Sequence, residues 1–126
     1  VLDDSNQVWV KNAPMIAFVI ARLTRARNGK PNRTAQFDTG SSWMSLALEA
    51  RRLGLYAHAM AGFDMDRARE TLQVPSEGYE IMAAIAIGKY GDPAELDEYN
   101  RAREKPSTRK HASEFAFEGP LPKKEP

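Results

Sequence analysis

The stretch GLYAHAMAGFD, residues 54–64, lies between two segments of helical pattern. Ala57, Ala59 and Ala61 alternate with larger side chains, and Gly62 and Asp64 follow. A period of two marks a strand, so Tyr56 to Ala61 is expected to form one, with the three alanines on one face. Gly54 is placed to stop the preceding helix and Asp64 to cap the next. A floor of small side chains admits something close, either a packed helix or a flat aromatic ligand. Gly62 beside it removes the side chain that shields backbone N–H groups. Periodicity by itself favours the packed helix.

Upstream, Asp38 to Leu53 reads as a helix, with Trp43, Leu46, Ala47 and Ala50 at i, i+3, i+4 and i+7. Asp38 can cap its start, and Ser41 and Ser42 read as first-turn residues. Arg51 and Arg52 suit its negative C-terminal end. Before it, PMIAFVIARL (14–23) is apolar nearly throughout, as in a strand covered on both faces. The opening VLDDSNQVWVKNAP reads as the end of a helix and an exit turn. Downstream, Asp64 to about Leu72 is a second helix closed by Pro75 and Gly78, and YEIMAAIAIG (79–88) a further doubly covered strand. Pro93 to Glu104 carries a short helical piece, and the tail from residue 105 to 126 reads as extended.

Two strands apolar on both faces need more cover than one long and one short helix provide. A partner surface or a further segment is implied. The helix that holds Trp43 and Leu46 is the expected face for a second copy.

Composition excludes more than it selects. The 126 residues are 42% hydrophobic and 28% charged, with net charge +1 and no cysteine. Disulfides and thiolate metal sites are thereby excluded, and no electrostatic case arises for nucleic acid or membrane. No apolar run approaches the roughly 20 residues of a membrane span. His58 and His111 lie in separate elements without ligand spacing, so no metal site is expected. No phosphate loop, dinucleotide fingerprint or nucleophile elbow is present. The basic loop of Arg22, Arg25, Arg27, Lys30 and Arg33 lacks the interleaved aromatics of a single-strand binder and reads as a solvated loop. No side chain is expected to be catalytic; if this is an enzyme, a cofactor carries the chemistry.

Several pieces, weak singly, gain force from their order. Asp38-Thr39-Gly40, LALEARRLGL, HAMAGFD, VPSEGYEIMAAIAIG, GDP and STRKHASEFAFEG, with Asn6, Trp9, Ala13 and Pro14, together resemble the flavin-dependent nitroreductase family. The resemblance implies an α+β fold: a mixed sheet flanked by helices, built as an intertwined homodimer with FMN at the interface. It implies ping-pong reduction by NAD(P)H of a nitroaromatic, quinone or enal acceptor; the absence of cysteine fits a reducing cytoplasm. In the family, the segment matching Met60, Ala61 and Gly62 lies beside the flavin ring, with a backbone N–H at flavin N5. Arg109 and Lys110 match the basic pair used on the FMN phosphate. Many members carry glutamate where this chain has Ala61, a difference expected to bear on substrate preference.

The family's N-terminal Arg-Arg-Ser-x-Arg and Ser-x-x-Asn-x-Gln-Pro-Trp segments have no counterpart here. The chain thus reads as a partial nitroreductase-like domain, residues 1–126, matching the C-terminal two-thirds. Two alternatives remain: a non-catalytic dimerisation module, and a nucleic-acid binder using the basic loop.

Overall fold

The computed structural model describes residues 1–120. The chain divides into two compact units, Val1–Gly91 and a second that begins at Asp92.

In the first unit the elements run α1 (Asp4–Val10), β1 (Met15–Arg22), α2 (Ala35–Arg52), β2 (Tyr56–Met60), α3 (Met65–Thr71) and β3 (Tyr79–Gly88). The strands form one sheet in the order β1-β3-β2, and both pairings are antiparallel. The expected mixed sheet is therefore corrected: among the described residues no parallel pair exists. β1 and β2 do run in the same direction, joined by the α2 crossover, but β3 fills the slot between them and runs the other way.

Register assigns the faces. Ala57 and Ala59 stand opposite Ile87 and Ile85, which in turn oppose Met15 and Ala17 of β1. Val19 and Ala83 share that face, where they line a groove with Gln36, Thr39, Gly40 and Trp43 of α2. The register shifts between Val19 and Ile20, so β3 carries one extra residue, Met82, which bulges into the same groove. Helix α2 thus lies over this face, as the periodicity favoured, and half-buries Ala57 while Ala59 stays exposed. Small side chains there bring helix and strand close, with Ala21, Ala35 and Ala50 buried in the layer. Ala61 falls beyond the end of β2, so the three-alanine floor stops at Ala59.

The opposite face carries Phe18, Met60, Ala84 and Ala86, covered by Val10 and Trp9 of α1 with Leu2, Ala13 and Phe63. Helix α1 is a separate element with its own start, and not the end of a longer one: Asp3 caps it by accepting from the Asn6 N–H at 2.9 Å. Trp9 meets His58 edge-on at 5.0 Å, which makes His58 an exposed strand residue packed on an aromatic ring.

Helix α2 begins at Ala35, a turn before Asp38. Asp38 therefore sits inside the first turn, where its carboxylate accepts from the Thr34 hydroxyl at 3.0 Å and no side chain caps the helix. Ser41 and Ser42 correspondingly lie deeper than the first turn, bonding back to the carbonyls of Phe37 and Asp38. At the other end Gly54 takes φ 75°, the left-handed stop its position predicted. Asp64 caps α3 as expected, accepting from the Arg67 N–H at 2.9 Å. Beyond α3, Gln73 adopts φ 54°, a conformation glycine takes without strain. Gln73→Gly is expected to raise stability by about 0.5–1 kcal/mol, the relieved left-handed strain less the entropy glycine adds to the unfolded chain, read as a higher urea midpoint at unchanged slope.

Strands β1 and β3 match their expected spans, but β1 is not covered on both faces. Met15 is 55% exposed, Ile16 and Ile20 37% each. On α2, Trp43 and Leu46 are half-buried on the sheet-facing side, whereas Phe37, Met44 and Leu48 are exposed. Those three fall at i, i+7 and i+11 and form a single outward apolar stripe.

In the second unit, Asp92 caps a 3-10 turn (Pro93–Glu95) and Asp97 caps α4 (Glu98–Arg103). Hydrogen bonds from the Asn100 backbone and side chain hold the Asp97 carboxyl below its ordinary range. The tail expected to be extended contains a 3-10 turn, Ala112–Glu114. His111 accepts from Ser113 N–H while the Glu114 carboxylate accepts from His111 N–H at 2.7 Å, a reciprocal cap within the span that reads as extended in sequence. Residues 121–126 of the expected tail lie outside the described residues.

Candidate functional site

The segment leaving β2 is fixed from one side by the start of the chain. The Gly62 carbonyl accepts from the Asp3 backbone N–H at 3.1 Å and from the Asn6 side-chain amide at 3.0 Å. Val1 O accepts from Asp64 N–H at 2.8 Å, and Leu2 bridges to Phe63. The residues Met60, Ala61 and Gly62 consequently have three different environments. Met60 is buried under α1. Gly62 is half-buried against the α1 cap, and Ala61 is exposed, its carbonyl taking the Phe63 N–H at 3.1 Å.

The space that a Cβ on Gly62 would need is already filled. It would lie 2.0 Å from Asp3 Oδ2 and 2.6 Å from Asn6 Nδ2. Close approach of the α1 cap thus favours glycine here, since an added methyl has to displace the Asp3 or Asn6 side chain. Asp3 and Asn6 were not singled out from sequence for this contact. The Asp-Asp-Ser-Asn run before Val8 and Trp9 carries a capping signal, but not the identity of the distant glycine it grips.

Arg109 and Lys110 lie in the second unit. Both are exposed, and the Arg109 guanidinium donates to the Ser107 hydroxyl. The pair precedes the His111–Glu114 cap, which fixes the backbone immediately after it. Among the described residues no group of His, Cys, Asp or Glu is arranged to hold a metal ion. No helix among them is long and apolar enough to cross a membrane.

The pattern that defines the Nitroreductase family matches residues 2–89, which is most of the first unit. The chain belongs to the nitroreductase family. A 15.4 kDa protein from Mycolicibacterium smegmatis, encoded in the ask 5′ region, is 38% identical over 101 residues, or 77% of this chain and 67% of its own. Protein DrgA of Synechocystis is 29% identical over 96 residues, covering 72% of this chain and 45% of its own. Among solved structures, an oxidoreductase containing FMN superposes with a TM-score of 0.89 at 40% identity, over 98% of this chain and 63% of that one. This nitroreductase-family chain therefore spans less than two thirds of that flavoprotein.

The residues present suit the phosphorylated flavin that the family implies. In the first unit Ala61 offers an exposed, small-residue edge beside a pinned backbone; in the second, Arg109 and Lys110 are exposed cations just before the Ala112–Glu114 turn.

Proposed function

We propose that the chain is part of an FMN-dependent NAD(P)H oxidoreductase that reduces a small electrophilic acceptor such as a nitroaromatic or quinone. The observation that carries this reading is the Ala61–Gly62 edge, exposed on one side and clamped by Asp3 and Asn6 on the other. The likeness to an FMN-containing oxidoreductase over 98% of the chain supports it. When bound, FMN supplies the hydride and electron chemistry. The Ala61 backbone orients the ring edge, and Arg109 and Lys110 hold the phosphate. The setting is a cytoplasmic homodimer, in which Met15, Ile16 and Ile20 of β1 and the Phe37, Met44 and Leu48 stripe are covered.

The deciding experiment is anaerobic addition of NADH or NADPH to the FMN-reconstituted chain. Bleaching of the flavin band, reversed by a quinone, is the expected result; flavin that neither nucleotide bleaches overturns the reading. Ala61→Ser is expected to keep most of the reduction rate, because the amide survives. Ala61→Pro removes the donor and is expected to slow it by about a hundred-fold. Equal rates in the two variants, each folded by circular dichroism, would refute the backbone role.

A second reading, a dimerisation module without turnover, draws on the outward stripe of α2, where Leu48 is 63% exposed. Both readings expect a dimer. Met44→Lys with Leu48→Lys is expected to give monomers in sedimentation, and a wild-type chain that is a folded monomer at micromolar concentration rules out this interface.

A further inference from the structure

The loop after β1 concentrates charge without pairing it. Arg25, Arg27 and Lys30 lie at its tip and Arg22 and Arg33 at its ends, and all five are exposed. No acidic residue occurs in the sequence between Asp4 and Asp38. The ion pair found among the described residues is Glu49–Arg52, so no carboxylate there neutralises any of the five.

The loop is nonetheless well built. Arg25 N–H donates to Lys30 O at 2.8 Å, Asn32 N–H to Leu23 O at 2.7 Å, and Thr24 bridges to Pro31. The Asn28 side chain accepts from Lys30 N–H at 3.1 Å, and Gly29 makes the turn with φ 68°. Its backbone therefore holds like charges together against their mutual repulsion, a cost that a bound anion offsets.

Position narrows the anion. β1 and β2 run in the same direction, so this loop leaves the sheet at the end where Ala61 and Gly62 emerge. Phe18 and Met60 both stand opposite Ala84, with Arg22 four residues further along β1. Strand rise and spacing place Arg22 about 17 Å from Met60, on the scale of an extended dinucleotide.

We propose that this loop binds the 2′-phosphate that distinguishes NADPH from NADH; the inference rests on the oxidoreductase reading above. A phosphate monoester dianion suits guanidinium forks flanked by a lysine. A nucleic-acid strand is disfavoured because residues 22–34 contain no aromatic side chain for stacking and the whole chain carries only +1.

Calorimetric titration of the full chain with 2′,5′-ADP and with 5′-AMP tests it without requiring flavin. The expected result is at least a ten-fold advantage for 2′,5′-ADP, lost in Arg25→Gln/Arg27→Gln and kept in Lys89→Gln. Equal affinity for the two nucleotides, an advantage that survives the double variant, or tighter binding of a short single-stranded oligonucleotide overturns it. Anaerobic flavin reduction separates the two levels. Bleaching at equal rates by NADH and NADPH, with no preference for 2′,5′-ADP, defeats this inference alone, whereas the absence of bleaching by either defeats the oxidoreductase reading.

Discussion

Gly62→Ala is expected to destabilise the first unit by about 1–3 kcal/mol, read as a lower urea midpoint. The added methyl meets Asp3 Oδ2 at 2.0 Å, closer than any real contact. Asp3 can swing aside only by giving up its cap on α1, where Oδ1 accepts from the Asn6 N–H and the Ser5 hydroxyl at 2.9 Å each. Losing such a cap costs about 1 kcal/mol, and displacing the Asn6 amide endangers a further bond to the Gly62 carbonyl. The same clash predicts coupling. In an Asp3→Ala background, Gly62→Ala should cost measurably less, because the blocking carboxylate is gone. Gly91→Ala is the control, since a Cβ there meets nothing within 4 Å. A Gly62→Ala protein within about 0.5 kcal/mol of wild type would show that the N-terminal clamp gives way freely.

The other large effect concerns phosphate recognition. Arg109→Ala and Lys110→Ala are each expected to weaken FMN binding by about ten- to a hundred-fold, the range for one charge-assisted bond. Riboflavin lacks the phosphate, so its affinity should scarcely change. Both flavins are titrated into apoprotein, with quenching of flavin fluorescence as the signal. Equal losses for FMN and riboflavin would mean that the pair supports the turn at Ala112–Glu114 and does not read phosphate.

How much was legible in advance depended on how local the cause is. The spans of β1, β2, α3 and β3 follow from apolar runs, the cap at Asp64 and the stop at Gly54, all set by neighbours in sequence. The start of α2 was misread because Asp38 has the right chemistry for a cap but lies one turn inside, where it bonds Thr34. The tail's turn was missed because its cap uses histidine, a residue with weak capping preference. For the site, the exposed edge at Ala61 and the ordered pair Arg109 and Lys110 were marked through resemblance, whereas Asp3 and Asn6 were not tied to it.

By itself the sequence determined the family, the alternation of helices with strands, and the absence of cysteine chemistry. Those rest on residue identity, order and short periods. Tertiary structure alone decided that β3 separates β1 from β2, turning an expected mixed sheet into an antiparallel one. It likewise decided which face of α2 stays open, and which side chains crowd residue 62. The reason is range: strand order and side-chain clashes depend on groups far apart in the chain. The Asn6 amide and Gly62 carbonyl, 56 positions apart, meet at 3.0 Å only because α1 folds back over the end of β2.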